Sequence, residues 1–235
     1  MAGIVAGAVM VAGGALLLRH YSWALRNRLV LLAFAAGSLL SLAFTEFLPE
    51  AYHADESVAG FFLIISFCAF FVSDILFHPH FEETVGSGRP IPVHWILVGW
   101  WVHSFFDGVA LGIAFLSSLS AGFLVLLAIM VHKFLDGINA SSLLMSPSAP
   151  PGKINQYLLF LSIGTPVGAV VSALVPLPDS SGVLAARFAI LAGLFIYLAA
   201  ADLLPQFHDK REPKTVTAFF LGIAVFAMVR TLLHE

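Results

Sequence analysis

Two histidine–aspartate pairs stand at the same spacing near the middle of the chain, His103 with Asp107 and His132 with Asp136. Residues four apart lie one turn apart on one face of a helix, so each pair would present an imidazole and a carboxylate together. Lys133 is the fifth ionisable group in these otherwise apolar stretches. Imidazole supplies nitrogen without adding charge, and carboxylate supplies charge that replaces lost hydration. That ligand set suits a borderline divalent cation such as Zn²⁺ and is compatible with Fe²⁺ or Mn²⁺. The plainer alternative is a polar network that ties two helices together. Duplication of the pair on adjacent segments favours a path for metal or protons.

The elements that must position these groups follow from composition. Of 235 residues, 60% are hydrophobic and 11% charged, with 22 phenylalanines. A soluble domain carries about 25% charged residues, so this chain lacks the polar material to cover a water-facing surface. Reading apolar runs between charges and Pro/Gly/Ser gives eight segments, 2–18, 29–49, 58–77, 92–116, 120–145, 154–176, 183–205 and 215–233, in one transmembrane domain over 1–235. Nothing alternates as the strands of a barrel would. The expected fold is an all-α integral membrane protein of eight transmembrane helices. Ionisable groups at the centre of a bilayer cost about 2.5–3.5 kcal/mol each, which makes the five on spans four and five functional candidates.

Net charge is −3 without any basic run, which argues against nucleic acid as a partner; no nucleotide-binding motif is present either. The single cysteine, Cys68, lies in an apolar stretch and reads as packing. No basic residue precedes the first apolar run, so it reads as a span rather than a cleaved signal. Arg19, Arg26, Arg28, Arg89, Lys153, Lys210, Arg211 and Lys214 fall in alternate loops. Positive loops stay inside, so both termini are expected outside, in a prokaryotic inner or plasma membrane.

Two internal echoes add to this. Val102-His103-Ser104-Phe105-Phe106-Asp107-Gly108 recurs as Val131-His132-Lys133-Phe134-Leu135-Asp136-Gly137, carrying span four onto span five. Glu46-Phe47-Leu48-Pro49-Glu50 recurs as Asp202-Leu203-Leu204-Pro205-Gln206, at the ends of spans two and seven. Both pairs of spans are antiparallel, as in inverted-repeat transporters, and they suggest a 3+2+3 arrangement nested about the middle loop. Gly108, Gly112 and Gly137 are expected to let spans four and five approach closely. Pro49, Pro166 and Pro205 each free a carbonyl four residues earlier. Glu46, Glu50, His53, Asp55 and Glu56 form an acidic outer mouth that would concentrate cations, and Asp202, His208 and Asp209 stand at the inner end. His78-Pro79-His80-Phe81-Glu82-Glu83 is a short His/acid loop that would bind metal weakly.

These stretches, with Ala110, Gly112 and Pro166-Val167-Gly168-Ala169, resemble the ZIP family of divalent-metal transporters. The resemblance implies a ZIP-like bundle whose spans four and five carry a transport site, often with two metals bridged by a carboxylate. By motif position it implies one metal on His103, Asp107 and Asp136 with His132 nearby. For the second metal, an amide, a carboxylate and a further carboxylate are replaced by Ser104, Lys133 and Thr165, and the usual proline on span five is Leu135. Asp107 and Asp136 with Lys133 sum to −1, so one dication gives +1. The expectation is a mononuclear site in which the ammonium takes the place of the second metal, Glu46, Glu50 and His53 collect the ion, and Asp202 and His208 receive it.

The leading reading is therefore a permease for a divalent transition metal, zinc first, moving inward without ATP and without a prosthetic group, in a lipid bilayer and with dimerisation left open. The runner-up is an intramembrane zinc hydrolase in which Ser104 or a metal-bound water attacks a lipid-like substrate. Antiparallel duplication of the ligands and the lack of a separate general acid or base count against it. A third reading is a proton-coupled or structural bundle without metal.

Overall fold

A computed structural model describes residues 1–77, 93–144, 153–175, 178, 180–208 and 212–234. Among them every regular element is a helix: α1 (Ala2–Arg19), α2 (Tyr21–Leu42), α3 (Leu48–Ala54), α4 (Glu56–Phe77), α5 (Val93–Ser117), α6 (Leu119–Leu144), α7 (Ile154–Leu174), α8 (Ser181–Tyr197), α9 (Pro205–His208) and α10 (Pro213–His234). Short π-helical segments, Ala43–Phe47 and Leu198–Leu203, link α2 to α3 and α8 to α9. Eight helical stretches are long and apolar enough to cross a membrane, and the chain is an all-α membrane protein.

Helix boundaries follow the apolar runs closely except before span two. The stretch expected as a loop is helical from Tyr21 onward, and His20 alone, at φ −131° and ψ 51°, interrupts the run from α1 into α2. Hydropathy registers apolar side chains and is blind to a helix that continues into polar sequence. Here Arg26 Nε donates to the Ser22 carbonyl at 3.1 Å and Asn27 Nδ2 to that of Trp23 at 2.9 Å, so polar side chains support the first turns.

The two π-helical segments coincide with the second echo. Each lies just before a proline, Pro49 or Pro205. Proline cannot donate, and its ring presses on the carbonyl four residues back. The wider turn absorbs this: Leu48 N–H bonds to Ala43 and Leu204 N–H to Ala199, each five residues back. The span continues past the proline instead of ending there.

Helix packing sorts the chain into two groups. In the first, α5 packs on α7, α6 on α1, α1 on α7 and α5 on α6; in the second, α2 packs on α10 and α4 on α8. Within groups the backbones meet through reciprocal glycines. A Cβ at Gly108 would overlap the Thr165 carbonyl and one at Gly168 that of Phe105; a Cβ at Gly137 would overlap the Met10 carbonyl and one at Gly13 that of Phe134. In the second group Gly37 faces the Phe219 carbonyl and Gly222 that of Phe34. Among the described glycines every such approach stays within one group.

Between the groups lies a core of side chains, in which Leu39, Leu42, Phe47, Phe188 and Phe195 meet Leu111, Leu124, Ile129 and Leu135. Depth in the bundle is unequal. In the most apolar stretch of α6, 67% of residues are buried, against 11% in α4 and 17% in α10, so α6 is central and α4 and α10 are peripheral.

The glycines of span four act differently from expectation. Gly108 and Gly112 bring α5 against Thr165 and Ser172 of α7, and Gly137 brings α6 against α1, so they do not close α5 upon α6. Successive helical residues point about 100° apart. Asp107 and Asp136 face the partner helix, and the glycines that follow them face the flanking one.

Candidate metal centre

The i, i+4 spacing places each His–Asp pair on the facing sides of α5 and α6, and the four side chains converge. One ligand atom from each of His103, Asp107, His132 and Asp136 lies within 4.8 Å of the others. Among the described residues no other cluster of three or more His, Cys, Asp or Glu does this. The two imidazoles meet Nε2 to Nε2 at 3.0 Å. His103 Nε2 lies 3.5 Å from both Asp107 Oδ2 and Asp136 Oδ2, and His132 Nε2 lies 3.5 Å from Asp136 Oδ1. Ligands about 2.0–2.1 Å from a tetrahedral zinc stand about 3.3–3.4 Å apart. The shortest separations lie on either side of that value and the whole set spans up to 4.8 Å, so two nitrogens and two oxygens would draw together slightly to close on one such ion.

Lys133 points into the same centre. Its Nζ is 2.6 Å from Asp107 Oδ2 and 3.0 Å from Asp136 Oδ2, and it donates to Ser104 Oγ at 2.9 Å. The side chain is fully buried, so it neither snorkels to the membrane surface nor turns to lipid. An ammonium between two carboxylates meets the charge balance that a buried group of this kind requires. Thr165 is also buried, and its Oγ1 has no hydrogen-bond partner among the described residues.

Exposure across the centre is graded. Side chains of Asp107 and His132 are 2% exposed, that of Asp136 7% and that of His103 17%. The more open pair lies toward the N-terminus of α5 and the C-terminus of α6. In the opposite direction, the next two turns carry Ala110, Leu111 and Ala114 on α5 and Ile129, Ala128 and Val125 on α6, all buried. Apolar side chains close one end of the centre; toward the other the ligands are more exposed, while Ile138, Ala140 and Ser141 of α6 are buried beyond them.

The remaining expected site residues are elsewhere. Glu46 is buried in the first π-helical segment and accepts from Arg230 Nε of α10 at 2.9 Å. Glu50 is half-buried and His53 exposed on α3. Asp55 Oδ1 accepts from Ser57 N at 3.0 Å and from Ser57 Oγ at 2.6 Å, so this acid caps α4. Ser162, whose carbonyl Pro166 frees, lies against Gly7 of α1, and that carbonyl serves helix packing. The side chains of Asp202 and His208, together with Asp209 and the 78–83 loop, lie outside the described residues. Arg230 was not singled out in the sequence, although it is the basic residue in the last apolar run.

Comparison with known proteins agrees with this geometry. The family model described as ZIP Zinc transporter matches residues 83–230, more than half of the chain. The chain is 30% identical over 128 residues to zinc transporter foi of Drosophila melanogaster, covering 54% of this chain and 18% of that protein. To protein zntA of Dictyostelium discoideum it is 35% identical over 142 residues, covering 57% and 28%. To zinc transporter ZIP9 of Macaca fascicularis it is 37% identical over 112 residues, covering 45% and 48%. The chain thus spans less than half the length of these relatives. They are eukaryotic and lend no support to a prokaryotic setting. The family is one of transporters rather than enzymes, and the matched region contains the whole His/Asp centre. The chain belongs to the ZIP zinc transporter family.

Proposed function

We propose that this chain carries a divalent transition-metal cation, zinc first with iron and manganese as alternates, from outside to cytosol through the centre on α5 and α6. The observation that carries the reading is the convergence of His103, Asp107, His132 and Asp136 within 4.8 Å, inside the segment that matches the family. These four residues hold the ion. Glu50 and His53 attract it at the outer end, with Glu46 behind them, and Asp202 and His208 receive it at the inner end.

The site takes one ion at a time. Lys133 supplies the charge that a second dication would bring, and Ser104 and Thr165 offer hydroxyls where the family's second metal needs stronger donors. Access alternates by movement of the group α1, α5, α6 and α7 against the other helices. Glycine-to-carbonyl contacts hold each group together, whereas side chains alone fill the boundary between them, which favours sliding over bending. The basic loops favour both termini outside, and on that orientation the more exposed side of the centre is the cytosolic one.

The hydrolase alternative receives no support from the geometry. Lys133 donates to Ser104 and its other two partners are carboxylates, so it offers Ser104 no base. Uptake of ⁶⁵Zn into proteoliposomes tests the reading, with wild type showing flux and Asp107→Ala none. Equal flux in the two, or none with any of Zn²⁺, Fe²⁺, Mn²⁺ or Cd²⁺, refutes it.

A further inference from the structure

One polar side chain next to the centre has no use in the mechanism so far. Asn139 lies three residues beyond Asp136 and seven beyond His132, so it continues their face of α6 by one turn. It stands on the open side, where ligand exposure rises from 2% at Asp107 and His132 to 7% and 17% at Asp136 and His103. Its Oδ1 is buried and accepts no hydrogen bond from any described residue. A buried amide oxygen without a donor carries a desolvation cost that is removed only when something positive or protic comes to it.

The neighbouring positions offer no substitute. At the same level α6 has Ala140, and α5, one turn before His103, has Gly99 and Trp100. An indole can donate but not coordinate. On the sealed side the corresponding turns contain no oxygen or nitrogen in their side chains. Ser104 already accepts from Lys133 within the centre, and the unpartnered Oγ of Ser141 lies five residues beyond Asp136, so Asn139 is the amide that continues the ligand face of α6 by one turn with an oxygen to give.

We infer that Asn139 is a further cation-coordinating residue, which accepts the metal from Asp136 and His103 as it leaves toward the open end. The inference rests on the transport reading above. Side chains three apart on a helix have Cβ atoms about 5–6 Å apart, a distance an ion can cross while keeping one ligand. A side-chain oxygen suits a transfer point, because amide and carboxylate oxygens alike coordinate divalent cations.

The test uses full-length protein in proteoliposomes, with Cd²⁺ flux read by a trapped indicator and equilibrium ¹⁰⁹Cd²⁺ binding measured in parallel. Asn139→Leu keeps the size and removes the oxygen; Asn139→Ala removes both; Asn139→Asp keeps an oxygen. The expected result is binding within about twofold of wild type for all three, flux reduced about tenfold for Leu and Ala, and flux within about threefold for Asp. Wild-type flux in Asn139→Ala or Asn139→Leu overturns the inference. So does Asn139→Asp as slow as Asn139→Leu, since packing would then explain the loss, and so does loss of equilibrium binding in Leu and Ala alike. Asp107→Ala separates the two claims: if it transports Cd²⁺ as wild type does, the transport reading itself has failed.

Discussion

Lys133 is the residue at which this chain departs most from the two-metal pattern, and its three contacts say what the departure does. Without the ammonium, Asp107 and Asp136 would be two buried carboxylates facing each other; removing one partner of a buried charge set costs about 3–5 kcal/mol. Lys133→Met should therefore lower the melting temperature of the metal-free protein, and added Zn²⁺ should recover most of the loss, measured by fluorescence-detected size exclusion after heating. Failure of Zn²⁺ to rescue would mean the lysine balances something other than the metal site. Purified wild type should bind one Zn²⁺ per chain by equilibrium dialysis with elemental analysis; two tightly bound ions lost on Asp107→Ala would rule out the mononuclear centre. The His–Asp pairs were legible in the sequence because a helical face depends only on local spacing. Whether Lys133 turned inward was not, since that depends on which neighbour lies across from it. Glu46 and Arg230 show the same limit more strongly, being 184 positions apart along the chain. A mouth acid and a terminal arginine are separate observations until the fold joins them.

At the scale of helices, the echoes mark interfaces as well as the converging His and Asp side chains. Phe105 and Gly108 of α5 meet α7 as Phe134 and Gly137 of α6 meet α1, and both Leu-Pro segments follow a π-helical turn. Contacts repeat when spans one and six, two and seven, three and eight, and four and five are exchanged. This supports an inverted 3+2+3 arrangement, although one in which the outer triplets correspond in order instead of nesting about the middle loop. Short echoes could identify two of the four correspondences; the others have no motif and depend on packing. The glycine interfaces give a sharp contrast in tolerance. Gly108→Ala forces its Cβ onto the Thr165 carbonyl, and overpacking of this kind costs about 1–3 kcal/mol. At Gly182 the nearest atom is 3.7 Å away, so Gly182→Ala should leave the melting temperature unchanged. Equal effects of the two substitutions in a thermal melt would contradict the close approach.

For the molecule as a whole, the apolar turns on one side of the centre and the rise in ligand exposure on the other fit the proposed carrier with its site turned toward one side. In a Cys68→Ser background, Asn139→Cys should react with a water-soluble thiol reagent applied from the cytosolic face, and Ala128→Cys should stay protected from both faces. Labelling of Ala128→Cys without Zn²⁺ or turnover would show that the seal is not one. Composition announced a membrane protein, but which end of the centre is the more exposed could not be read from hydropathy, because both halves are equally apolar. The buried lysine also has an electrical consequence. With neutral imidazoles, the centre carries −1 when empty and would carry +1 with one dication bound; without the lysine these values would be −2 and zero. Displacing one elementary charge through the full membrane potential is worth about 2.3 kcal/mol per 100 mV. On the proposed inward, one-ion reading, a lysine-bearing carrier would divide its voltage dependence between the loaded and the returning half-cycles, so that membrane potential would drive both the inward delivery of the ion and the outward return of the empty site.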